Sequence, residues 1–119
     1  MRRYELAAEM MVVSRSGEAL ESNAVASERI RRDDPAELVR AIEALDRSQL
    51  APVVVVLDDA CSKGTAEEQS EGVIALASAL VGLGVEAFET RHVIAVNRVF
   101  ATHRAIASGS LGVDAEVNT

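Results

Sequence analysis

Ala51-Pro52-Val53-Val54-Val55-Val56-Leu57-Asp58-Asp59-Ala60-Cys61-Ser62-Lys63-Gly64-Thr65 is the stretch that decides the fold. From Val53 to Leu57 there is no polar break, and four of the five residues are β-branched, which favours a strand. A strand with one face in water alternates apolar and polar residues. One that is apolar at every position belongs to a parallel sheet with both faces covered. Two aspartates and the loop Ser62-Lys63-Gly64 follow at once. Thr65-Ala66-Glu67-Glu68 then has the form of a capping box, in which a threonine hydroxyl and a glutamate three residues on satisfy the first free N–H groups of a helix. The stretch therefore predicts strand 53–58, a polar loop and a helix opening at residue 66.

Downstream, the helix is expected over 66–83, with acidic residues in its first turn and Gly82 and Gly84 closing it. Val85-Glu86-Ala87-Phe88-Glu89 reads as a short strand. A last helix follows over 91–107, with Val93, Val96, Val99, Phe100 and Ile106 toward the core. The residues after Ser108-Gly109 have no periodicity. The expected organisation is a single α/β domain over 1–107 and a flexible tail over 108–119.

Upstream, Asp34, Pro35 and Glu37 mark the start of a helix over 35–48, with Leu38, Ala41, Ile42 and Leu45 as its core stripe. Residues 18–33 are polar and read as a surface loop with a turn or two of helix. Arg29, Arg31 and Arg32 cluster there, but Asp33 and Asp34 follow immediately, which favours a solvated charged surface over a specific anion site. Residues 4–14 fit period two (Tyr4, Leu6, Ala8, Met10, Val12) and also a helical stripe (Leu6, Met10, Val13). The turn signal Ser14-Arg15-Ser16-Gly17 favours the strand. The fold class expected is a small α/β domain of two or three layers. Its sheet is short and mostly parallel, about three strands with 53–58 at the centre, and it has three main helices. So few strands leave open edges, which predicts a homo-oligomer or a protein partner.

Composition narrows the function classes. The chain has 119 residues, half of them apolar, which suits one core. A formal charge of −7 argues against a nucleic-acid partner, whose phosphates select basic surfaces, and against an anionic membrane surface. Arg2 and Arg3 begin like a signal peptide, but Glu5 and Glu9 interrupt the apolar run. No apolar run approaches the roughly 20 residues that a bilayer requires. A single cysteine, Cys61, cannot form an internal disulfide, so the expected location is cytoplasmic.

In a parallel sheet, ligands bind beyond the carboxyl ends of the strands. That rule gathers Ser14 and Arg15 after the first strand, Asp58, Asp59, Ser62 and Lys63 after the second, and Glu89, Arg91 and His92 after the third. Paired aspartates at a strand end could hold magnesium, a hard ion that prefers carboxylate oxygen; turn formation is the plainer use of them. No Gly-x-x-x-x-Gly-Lys-Ser/Thr loop occurs, which speaks against a nucleoside triphosphatase. A phospho-acceptor receiver domain would need a lysine after a later strand, and none is found. Cys61 near Lys63 and a helix start could be activated, but no partner for a catalytic thiol is evident. His92 could work as an acid or base or simply sit at a helix start, and His103 reads as a structural residue in the last helix. Two histidines and one cysteine so placed do not form a zinc site. No cofactor is identified.

The helix followed by Pro-Val-Val-Val-Val-Leu with a Ser-Lys loop, the helix ending in Gly-Leu-Gly-Val, and Phe-Glu-Thr-Arg-His-Val opening a final helix resemble the last two βα units of the dihydropteroate synthase family of (β/α)8 barrels. The resemblance covers residues 36–107. That family follows its penultimate strand with a Ser-Arg-Lys signature, where this chain interposes Asp58-Asp59-Ala60 and keeps Ser62-Lys63. The family's final Arg-x-His-Asp-Val pattern, aligned on Val93, meets Glu89, Arg91 and His92, so pterin binding is not carried over. A whole barrel also needs about twice this length.

Two functional expectations follow. In one, the chain is a non-catalytic subunit or interaction module that self-associates. In the other, it is a small-molecule- or phosphate-binding protein or an enzyme, with its site formed by the strand-end residues.

Overall fold

The computed structural model describes residues 9–50 and 52–109. The fold is α/β, with a five-stranded mixed sheet and three main helices. Strand β1 (Met11–Ser14) turns through Gly17, whose φ of 96° suits a residue without a Cβ, into β2 (Ala19–Glu21). A 3-10 turn at Ser22–Ala24 leads to β3 (Glu28–Ile30). Helix α1 (Pro35–Glu43) starts as the sequence predicts, with the Asp34 carboxylate accepting the Glu37 N–H at 3.1 Å. A short helix α2 (Arg47–Leu50) precedes β4 (Val53–Val56). After a 3-10 turn at Asp58–Cys61 comes α3 (Ala66–Gly82), whose capping box forms in full between Thr65 and Glu68. Strand β5 (Ala87–Thr90) and α4 (Val93–Ser108) are the last elements among the described residues, and Gly109 caps α4 at φ 73°.

The sheet order is β2-β1-β5-β4-β3. Strands β3, β4 and β5 are parallel, whereas β1 is antiparallel to both of its neighbours. The expectation of about three mostly parallel strands is thus corrected to five mixed ones. The two missed strands lie in the segment read as loop and helix. Ala19-Leu20-Glu21 and Glu28-Arg29-Ile30 are too short and too polar to show alternation, and pairing with β1 and β4 creates them. The centre of the sheet is β5, and β4 is second from an edge.

Boundaries moved for local reasons. The predicted helix 35–48 is broken at 44–46, where Gln49 Oε1 accepts the Asp46 N–H at 2.8 Å and starts α2 afresh. Asp58 falls in a 3-10 turn instead of ending the strand. Helix α4 extends through Ser108. Residues 4–8 of the first predicted strand and 110–119 of the predicted tail lie outside the described residues.

The core places all three main helices on one face. Val13, Val55 and Phe88 from the sheet join Leu38 and Ile42 of α1, Val73, Leu76, Ala77 and Leu80 of α3, and Val96 and Phe100 of α4. The alternate residues of the strands, Val12, Val54, Val56 and Glu89, face the other way and are also buried. Since β2 and β3 occupy opposite edges, the link 22–27 has to cross the sheet. Arg29 holds it on the second face, donating to the backbone oxygens of Ser22 (2.8 Å) and Ser27 (2.6 Å) and to the Glu89 carboxylate (2.6 Å). Strand β4 is therefore apolar on both faces because helices cover one side and this strap the other.

Candidate functional site

The carboxyl ends of β4 and β5 lie side by side, and Leu57 N–H donates to the Glu89 carbonyl at 3.1 Å. Asp58 follows directly and commits both oxygens to the neighbouring strand end. Oδ1 accepts the Thr90 hydroxyl at 2.7 Å, and Oδ2 accepts the Arg91 N–H at 2.9 Å. Thr90 Oγ1 also accepts the His92 N–H at 2.9 Å. The His92 ring turns beneath α3, where Nδ1 meets Ser70 Oγ at 3.2 Å. Thr90, Ser70 and His92 are all buried.

Burial is the main cause holding His92 below its ordinary pKa. The Arg91 charge acts in the same direction, and the Asp58 charge opposes both. Burial, with Asp58 adding to it, pushes the Cys61 thiol up, which disfavours the nucleophilic thiolate.

Ser70, His92 and Asp58 are the residue types of a hydrolytic triad, but they are not wired as one. Asp58 bonds Thr90 and a backbone N–H, not the imidazole, and Ser70 and His92 are 7% and 5% exposed, which denies a substrate access. The arrangement ties the ends of β4 and β5 to the start of α4 and to α3.

The other predicted site residues disperse. Asp59 pairs with Arg31 at 3.1 Å. Ser62 offers its carbonyl to Gln69 Nε2 at 3.0 Å. Glu89 turns to the opposite face of the sheet and bonds Arg29. Lys63 and Arg91 have exposed side chains. Arg15 lies at the other end of the molecule, because antiparallel β1 brings Ser14 opposite Ala87, the first residue of β5. Sequence reasoning missed Thr90 and Ser70. Ser70 had a usable signal, since it continues the α3 core stripe of Val73, Ala77 and Leu80 at helical spacing. Among the described residues, no three or more His, Cys, Asp or Glu side chains converge as a metal site.

Beside this cluster, a groove of about 570 Å³ opens between the start of α1, the Asp58–Cys61 turn and α3. Ala60, Cys61, Gly72, Ala75, Leu76 and Ala79 line it, and Asp33, Asp34, Lys63 and Glu68 stand at its rim. Small residues on α3 make the wall shallow, and Cys61 Sγ would lie only 3.5 Å from a Cβ at Gly72.

No protein-family model, curated protein or solved structure matches the chain.

Proposed function

We propose that this chain is a non-catalytic interaction module that self-associates, with the groove between α1 and α3 as its docking surface. The observation that carries the reading is the commitment of the strand-end polar groups. Both Asp58 oxygens, the Thr90 hydroxyl and the Ser70–His92 pair are used inside the fold. A catalytic group needs an accessible, loosely held functional atom that can reach a substrate. The groove offers what an interface needs instead: apolar floor, small side chains that permit close approach, and a charged rim. Lys63 stands among the acidic rim residues Asp33, Asp34 and Glu68, so the rim carries both signs and suits a two-fold pairing of identical surfaces. A reducing, cytoplasmic location fits the single thiol, Cys61.

Sizing of the purified chain, alone and with candidate partners, together with thermal unfolding in the presence of divalent metals and phosphorylated metabolites, tests this. The expected result is a stable oligomer in which any stabilisation by those additives is the same in the wild type, Asp58→Ala and Arg91→Ala. A large stabilisation by one of them, abolished in Asp58→Ala or Arg91→Ala, would instead establish the strand ends as a ligand site.

A further inference from the structure

The end of the molecule opposite Asp58 has a different character. There, a cavity of about 500 Å³ is lined by Arg15, Arg47, His103 and Arg104, with Val81 and Ala107 as accessible apolar lining. The cations come from three separate parts of the chain: the β1–β2 turn, α2 and the last turns of α4. In a protein of formal charge −7, this convergence runs against the overall balance.

Part of it has a structural account. The carbonyl ends of α3 and α4 point this way and favour positive charge, and Arg104 donates to the Arg15 backbone oxygen. The same carbonyl ends act on Arg47, which lines the cavity from α2, but its side chain has no hydrogen-bond or ion-pair partner among the described residues, and neither has that of His103. Among the described residues the carboxylate engaged is Glu86, 3.5 Å from Arg15, in a pair whose side chains are 42% and 64% exposed. Such a pair is weak and exchangeable. The backbone N–H groups at the α3 terminus are already used: Leu83, Gly84 and Val85 donate to the carbonyls of residues 79–81. An occupant would thus be held by side chains.

We infer that this cavity binds a phosphomonoester with an apolar body. Guanidinium groups present paired, planar donors that match phosphate oxygens, and three such charges exceed the roughly half a negative charge at each of the two helix ends, so a dianion still relieves their mutual repulsion. The accessible apolar lining, Val81 and Ala107, would take the apolar part. This site is independent of the docking groove, so its failure and that of the interaction reading are separable.

Phenyl phosphate and inorganic phosphate, compared at constant ionic strength with chloride as the control salt, test it by thermal unfolding and calorimetric titration of the full chain. Phenyl phosphate should stabilise saturably and bind more tightly than inorganic phosphate. Arg47→Gln, at an exposed position with no intramolecular bond to lose, should weaken binding about tenfold, and Arg47→Gln with Arg104→Gln should abolish it. Arg91→Gln at the other end should leave it unchanged. No saturable binding would overturn the inference, as would binding equal in the wild type and the double variant. So would a loss in Arg91→Gln that matches the loss in Arg47→Gln.

Discussion

Thr90 is the residue on which the strand-end cluster turns. Its hydroxyl donates to Asp58 and accepts from the His92 N–H, so one side chain links β4, β5 and the start of α4. Thr90→Val keeps the shape and removes both bonds, leaving a carboxylate oxygen and an N–H without partners. A buried group left in that state costs about 1–3 kcal/mol. Urea unfolding should show a loss of that size, and Thr90→Ser should recover most of it. A loss in Thr90→Ser with none in Thr90→Val would mean that the methyl packing, not the hydroxyl, is what matters. His92 gives a pH dependence. Its folded pKa lies below the ordinary 6.5, so in the window below 6.5 the unfolded chain binds a proton that the folded chain resists. Stability is therefore full above that value and falls as the pH drops from it. Denaturation midpoints measured on either side of pH 6.5 should show this slope, and His92→Gln should flatten it. A slope unchanged in His92→Gln would assign the effect to another group.

Among the elements, the helices were the most legible in the sequence. Asp34-Pro35 and Thr65 through Glu68 predicted two helix starts, and the observed caps use those residues. These signals are local: a cap needs only its own turn. The strap across the second face was invisible, because Arg29 in a run of charges looked like surface. Its side chain is in fact only 19% exposed, and it holds Glu89, itself 9% exposed, across the sheet. Removing one partner of such a pair strands a buried charge and costs about 3–5 kcal/mol, whereas removing both can be nearly neutral. Arg29→Met should therefore be strongly destabilising. Arg29→Met with Glu89→Leu should recover a large part, short of the whole, because the strap also loses its bonds to Ser22 and Ser27. A double variant no more stable than Arg29→Met would show that the backbone bonds, not the ion pair, hold the strap.

For the whole molecule, the alternation of helix and strand from residue 35 onward followed from Val53–Leu57 and the two helices flanking it, but β3 and the direction of β1 did not. An antiparallel hairpin and a parallel crossover use the same alternating residues, and only long-range pairing separates them. That single direction decides which residues can share a site. It sends Arg15 to the end of the molecule where Arg47 and Arg104 lie, and leaves Asp58, Arg91 and His92 at the other. The strand-end rule found the place where Asp58 and His92 meet. It could not show that their functional atoms are turned inward, because hydrogen bonds from Thr90 and Ser70 decide that.

The central claim is that the groove between α1 and α3 joins copies of this chain. Light scattering after size exclusion, over a wide concentration range, tests it on the wild type and on Ala75→Arg. Ala75 is exposed on α3 and lines the groove, so a long charged side chain there blocks docking without disturbing the core. The account predicts an oligomeric wild type and a folded, monomeric Ala75→Arg. A wild type that stays monomeric at every concentration would contradict it, as would an oligomer untouched by Ala75→Arg.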